Sequence, residues 1–575
     1  MRKLLNNYRR YLTNYDSVLA YSLLGIIGGL ASGLVVIAFE LAIRELPRLW
    51  GVGGGGEDFE SLPPWLLFAL PATGALLLGC AYSLLKPEDR ETGIVHVLSR
   101  MHSHYSVLPL RNALVQFGAG AFALATGQSG GREGPGVHLG GAVNSLLGQG
   151  LGLPNNSLRV LIACGTAGGI SAAFDTPLAG VIFAMEVIVA EYTVVGFIPV
   201  MLAAVAAAAV SRTLSTTGTL LTIPAVALNS LWEIPYILLL GLVCGVAVAG
   251  FVRIIRLVGR VAHWHVIIRF TLAGTFTGAL ALLVPEVLGM GYDTLNLAIN
   301  SQLALAALLS VALCKLLATA VSCGAGLPIG IIGPSLLIGA CIGGAMGALG
   351  QALQPDLTSE YTLYLAIGMA AAMAAMLNAP LAAILAVIEL TQSISIGMPA
   401  LLAIVAADLT NTGIFRQRAA HQTLLRQLQR VVPDDPLNQL LHRTDVTATM
   451  DVRVVRVPIL LQPDDLEPLL EFTPTWCLIT RDGEDLYLVQ GDELIEWLKE
   501  NVEAETPTDL AEAGMRRWTI APVPVQATLR QAMDTIRART VEAVCVYQRS
   551  RATGKQILHG VVTRESIEKF SLARL

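Results

Sequence analysis

One short signal occurs twice in this chain, and in so apolar a sequence the repetition restricts the fold to one assembled from two related halves. Gly131, Arg132, Glu133, Gly134, Pro135 matches Gly330, Ile331, Ile332, Gly333, Pro334, and each run opens an apolar, glycine-spaced stretch. Further along each copy, Asp175, Thr176, Pro177, Leu178, Ala179 matches Asn378, Ala379, Pro380, Leu381, Ala382. Glu186 and Glu389 then stand nine residues after Pro177 and Pro380, with apolar residues between. If the second half is inverted, both glycine-proline helix starts aim their N-termini at one point near mid-membrane, as broken helices around a binding site do.

The first copy lies in the glycine-rich stretch 127–140, where an arginine and a glutamate sit amid apolar sequence. Gly130, Gly131 and Gly134 let the backbone bend and approach a ligand closely, and Pro135 suits the first turn of a helix. A helix beginning there turns unpaired N–H groups and a partial positive charge back on the glycines, which makes an anion site. Glu133 stands at that positive end. Its carboxylate occupies the place of an anion when ionised and vacates it when protonated or displaced. Ionisable groups within a membrane are functional by default; the alternative is a glycine turn with Arg132 and Glu133 paired at the surface.

Composition is needed only to fix the solvent. The chain is 54% hydrophobic and 14% charged, with mean hydropathy +0.61, against about a quarter charged residues in ordinary soluble proteins. It is a polytopic membrane protein. The 55 glycines and 6% aromatic content fit helices packed through small residues. The net charge of −5 gives no reason to expect a nucleic acid. Eight scattered cysteines without a C-x-x-C pair read as buried hydrophobes. The histidines, including His96, His263 and His265, lack the spacing of a metal site, and no nucleophile and base are paired as in an enzyme.

In chain order, residues 1–16 carry Arg2, Lys3, Arg9 and Arg10 against Asp16, which places this end in the cytoplasm. The first apolar run, 17–43, is too long for a cleavable signal and spans. A second span covers 64–85, and shorter, glycine- and proline-interrupted segments follow, giving about fourteen to eighteen full and partial helices. The membrane part occupies 17–415, with halves at 17–212 and 230–415. Residues 416–445 form a linker, and 446–575 alternate strand-like and amphipathic segments as two copies of a small α/β unit.

These motifs resemble the CLC chloride channels and proton-coupled chloride exchangers, most specifically through residues 131–135. The C-terminal repeat is similar to a pair of CBS domains, through Gly560, Val561, Val562, Thr563, Arg564, Glu565, Ser566, Ile567. The resemblance implies an all-α fold of two inverted halves, a homodimer with one path per subunit, chloride as substrate and no required cofactor. It implies a bacterial inner membrane location with both termini cytoplasmic. Glu133 lines up with the family's gating glutamate, and Gly131, Arg132 and Gly134 with its outer anion site. Thr92 takes the place of the serine that helps hold the central anion. Ile331 and Ile332 replace the family's Gly-x-Phe-x-Pro interior, and Phe415 takes the place of an inner tyrosine. Glu133 and Glu186 would begin a proton path, but Val187 stands where many exchangers carry an internal proton glutamate, which favours passive conduction. A proton-coupled antiporter, a fluoride transporter, and a membrane-anchored sensor binding an adenine nucleotide at residues 446–575 are the rival readings.

Overall fold

The computed structural model describes residues 18–53, 56–103, 106–153, 155–190, 194–214, 228–428, 440–441, 444–462, 474–481, 483–501, 508–511, 513–549 and 556–574. The basic N-terminal segment, and residues 429–439 and 442–443 of the expected linker, therefore lie outside the described residues. Two compact units emerge, one of Met1–Gly152 with Ser157–Val432 and one of Leu153–Asn156 with Pro433–Leu575.

The first unit is helical throughout. Eight of its described helices are long and apolar enough to cross a membrane, beginning with Val18–Trp50 and Pro64–Leu84. Most of these are half-buried, and their exposed faces are apolar: Leu19, Leu23, Ile27 and Leu34 point outward from the first one. Asn155–Phe174 and Ile332–Leu353 are instead almost wholly enclosed by protein. Shorter apolar helices, among them Pro177–Val189 and Pro380–Thr391, fall below a full crossing. The helix after the first glycine-proline run begins at Glu133, with Pro135 inside its first turn, where no N–H is required.

Close approach of backbones explains the glycine content. A Cβ on Gly140 would lie 2.1 Å from the Gly165 carbonyl oxygen, and one on Gly165 would lie equally near the Gly140 oxygen. The second half repeats the device, with Gly339 and Gly368 each 2.2 Å from the other's carbonyl by the same construction. Helices without a hydrophobic drive between them gain dispersion contact when small residues let them approach in this way.

Backbone geometry carries the repeat as well. Asp175 and Asn378 both take left-handed φ, 59° and 52°, and the next residues, Thr176 and Ala379, have φ −121° and −137° before their prolines. Asp and Asn tolerate the left-handed region better than other side chains, so one chain reversal is built twice.

The second unit is an α/β structure of two equivalent parts. β1 (Val454–Pro458) pairs parallel with β3 (Trp476–Arg481), which pairs antiparallel with β4 (Glu484–Gln490). β6 (Ile520–Pro524), β7 (Ala543–Arg549) and β8 (Gln556–Thr563) repeat that order and those directions. Both antiparallel pairs shift register, between Ile479/Thr480 and between Val546/Tyr547. The short strands β2 (Leu460–Leu461) and β5 (Thr508–Asp509) form a side pair. Leu478, Leu488, Cys545 and Val561 share one buried cluster that joins the two sheets, with Trp476 edge-on to Trp518 at 5.1 Å.

Candidate functional site

The two glycine-proline starts meet. Gly131 and Gly330 exchange both backbone hydrogen bonds at 2.8 Å, an isolated antiparallel bridge between the halves. Only glycine fits: a Cβ on Gly330 would stand 2.6 Å from the Gly134 nitrogen and 2.8 Å from the Gly131 oxygen. The helices Glu133–Leu151 and Ile332–Leu353 therefore begin side by side.

Glu133 is fully buried at this junction. Its Oε2 accepts the Gly333 N–H at 3.0 Å, and its Oε1 accepts the hydroxyl of Tyr292. Thus the carboxylate of one half sits on the positive end of the other half's helix, in the position an anion would take.

Arg132, expected among the anion contacts, has its guanidinium engaged by other groups. Its guanidinium is buried, 2.8 Å from Glu40 Oε1, donates to the Ala173 carbonyl at 2.7 Å, and lies 5.5 Å over the Tyr292 ring. The remaining expected anion contacts divide. The Gly131 N–H is committed to Gly330, and Gly134 is packed against the Gly330 Cα. Ile331 and Ile332 are buried at the helix start, but the amide that reaches Glu133 belongs to Gly333. Thr92 is half-buried just before the helix Gly93–Ser103, where the Gly93 N–H is taken by Gln116 Oε1 at 2.6 Å. Phe415 is 43% exposed at the end of the turn Leu409–Ile414 and does not join the set around Glu133. His421, on the helix Ala420–Gln427, is buried, and its Nδ1 has no hydrogen-bond partner.

Glu186 and Glu389 act as a reciprocal pair. Glu186 accepts from the Leu381 and Ala382 N–H groups at 3.3 and 2.8 Å, and Glu389 from those of Leu178 and Ala179 at 3.0 and 2.8 Å. Each carboxylate caps the short helix of the opposite half, where free N–H groups and the helix dipole favour negative charge. Reciprocal contacts of this kind, like the Gly131–Gly330 bridge, are what a pseudo-two-fold axis between the halves produces.

Sequence reading missed Tyr292, Gly333, Glu40 and Lys315. Lys315 is fully buried, and its ammonium donates to the carbonyls of Val287, Leu288 and Gly289 at 3.1, 3.4 and 2.9 Å. Three donors meet three carbonyls, so this buried cation is held by backbone. In the loop between the first two spans, burial and then Asp293 push the Glu57 carboxyl up to about 7. The same two causes push Glu60 up to about 8. The Asp293 N–H donates to Glu57 Oε2 at 3.1 Å.

Known proteins are similar to this chain in sequence and in fold. The chain is 32% identical over 330 residues to a ClcB-like chloride channel protein of Ralstonia nicotianae, covering 56% of this chain and 76% of that one. It is 30% identical over 347 residues to the H(+)/Cl(-) exchange transporter ClcA of Vibrio cholerae, covering 58% and 74%. A solved slow cyanobacterial Cl-/H+ antiporter superposes with a TM-score of 0.64 at 24% identity, over 71% of this chain and 97% of its own. Residues 74–412 match the voltage gated chloride channel family, Voltage_CLC, and the chain belongs to that family.

Proposed function

We propose that this CLC-family membrane protein transports chloride along a path that Glu133 closes, and that it conducts passively. The observation carrying the gate is the seating of the Glu133 carboxylate on the Gly333 amide of the opposite half. Ionised, it fills the anion's place; neutral or displaced, it releases the helix end to chloride. Amide and hydroxyl dipoles hold an anion weakly enough to let it leave. Arg132 and Lys315 are already engaged with other groups, so neither adds a free full charge that would trap the ion.

Passive conduction is supported by the surroundings of Glu186 and Val187 and by a small cavity near Ile332. Val187 is buried and apolar, and both oxygens of Glu186 are bonded to backbone. A cavity of ≈ 10 Å³ lies between Thr176, Phe183, Ile332 and Leu390, with Thr176 its one polar lining side chain. A water there lacks the two to four polar partners that hold one in place, so the cavity provides no ordered chain for protons. Proton-coupled exchange is the second reading, favoured by the likeness to ClcA.

Reconstituted protein decides between them. Under a chloride gradient, passive conduction gives chloride flux without uphill proton movement, whereas stoichiometric proton transport establishes exchange. Glu133→Gln should remove the main acid activation of chloride flux; a mutant with the wild-type pH profile refutes the gate. The homodimer, and an adenine nucleotide at residues 446–575, belong to the same proposal through the family resemblance. Titration of the full-length protein with ATP tests the latter.

A further inference from the structure

We propose that Tyr292 is the latch of the gate: its hydroxyl holds the ionised Glu133 carboxylate on the Gly333 amide and so sets the pH at which the path opens. The proposal rests on Glu133 being the gate. Each carboxylate oxygen has one donor, the Gly333 N–H on Oε2 and the Tyr292 hydroxyl on Oε1, and the site is enclosed, with Glu133 and Tyr292 both buried. Hydrogen bonds to an ionised group in such surroundings are the strong ones. A donor to the anionic form stabilises the closed state selectively, because protonation of the carboxylate weakens the bond and its departure ends it.

The fold fixes this donor in place. Tyr292 begins the helix Tyr292–Ile299 and follows a turn in which Gly289 and Gly291 take left-handed φ of 60° and 83°. The turn is tied down from two directions. Lys315 binds the carbonyls of Val287, Leu288 and Gly289, and the gate's own segment binds it through Gly130 N–H to Gly289 O at 3.3 Å and Gly289 N–H to Gly127 O at 3.4 Å. The ring is set edge-on to Phe174 at 6.4 Å and beneath the Arg132 guanidinium. The hydroxyl is thereby presented to Glu133 by packing rather than by chance rotation. The other charged groups around this site are Arg132 beside the gate, Glu40 paired with it from the first helix, Glu57 from the loop, Asp293 next to Tyr292, and Lys315. All of them are left in place by Tyr292→Phe, which removes only the donor.

The test is chloride flux against pH in liposomes for wild type, Tyr292→Phe, Glu133→Gln and the double mutant. Losing a donor that favours the ionised, seated carboxylate weakens the closed state, so the gate opens at higher pH. Tyr292→Phe should move the midpoint up by about one unit, with about tenfold more flux at a fixed pH well above it. In the Glu133→Gln background the same change should do nothing. An unmoved midpoint, or an equal effect with and without Glu133, overturns the latch. Should Tyr292→Phe not purify as a monodisperse protein, 3-fluorotyrosine at position 292, a stronger donor of similar shape, should move the midpoint down; no movement overturns the proposal. If Glu133→Gln itself keeps the wild-type profile, the gate falls and the latch with it, an outcome distinct from failure of Tyr292→Phe alone.

Discussion

Arg132 is the strongest test of the electrostatics around the gate. Its guanidinium lies 2.8 Å from Glu40 Oε1, with side-chain exposures of 5% and 15%. Arg132→Met keeps the bulk but strands Glu40 among apolar helices. Breaking a buried pair from one side costs about 3–5 kcal/mol, whereas replacing both partners with neutral groups is close to neutral. Because Glu40 keeps some access to solvent, the lower end, about 3 kcal/mol, applies, and for a protein this large that is a fall in thermal midpoint of roughly 2–3 °C. The double mutant Arg132→Met with Glu40→Gln should recover most of that loss. Thermal unfolding of the detergent-solubilised protein, followed by loss of monodispersity, measures the stability. Liposome flux measures transport. The reasoning expects the double mutant to regain chloride flux, because Arg132 serves the fold through Glu40 and Ala173. If the double mutant is as unstable as the single, the buried-pair argument fails. If it is stable but passes no chloride, Arg132 contacts the ion after all.

Two further outcomes follow from the reciprocal caps and the acidic loop. Glu186→Ala and Glu389→Ala should each lower stability by about 1 kcal/mol, the worth of an N-terminal cap partly open to solvent, and the glutamine variants should lose less; thermal unfolding checks this. Glu186→Ala should leave the pH midpoint of chloride flux unchanged, and a moved midpoint in the flux assay shows that Glu186 does more than cap. Glu57, raised from 4.5 to about 7, binds its proton more tightly in the folded state than in the unfolded one. Its contribution is therefore greatest below pH 4.5 and declines as pH rises to about 7, by about 3 kcal/mol in total. Glu57→Gln still offers an oxygen to the Asp293 N–H, so it should match wild type at acid pH and exceed it above neutrality when the two are unfolded across that range.

The helices were legible because a membrane span writes its own length in the sequence. Residues 64–85 needed only the apolar run and its flanking proline, and the structure ends that helix within a residue of that reading. The repeat was legible for a different reason. Asp175 and Asn378, the two proline-led starts and the two glutamates hold places where chemistry rather than bulk apolarity is required, so they survive as matching letters where valine, leucine and alanine interchange freely. In the second unit, the alternation of strand-like and amphipathic segments marked a twice-repeated α/β order, but the parallel pairing of β1 with β3 and of β6 with β7 is a tertiary fact that period-two patterning does not contain.

The site was half legible, and the boundary is physical. Glu133 announced itself as a carboxylate in apolar sequence beside glycines, a local contradiction that only a function or a buried partner resolves. Its partners are distant in sequence. Tyr292 lies 159 positions away and Gly333 lies 200, and neither has an unusual neighbourhood: a tyrosine after Gly-Met-Gly reads as a turn, and Gly333 was seen as part of a helix start without singling out its own amide. The partner of Arg132 is distant as well: successive side chains near a helix start diverge, and the first helix brings Glu40 to it. Lys315 carried a signal that was passed over. A lysine in the middle of the apolar run 305–325 must be satisfied by something, and asking what satisfies it leads to the carbonyls of residues 287–289, and from that turn directly to Tyr292. A lone cation in a span thus points to the backbone it organises, and here that backbone presents the hydroxyl to Glu133.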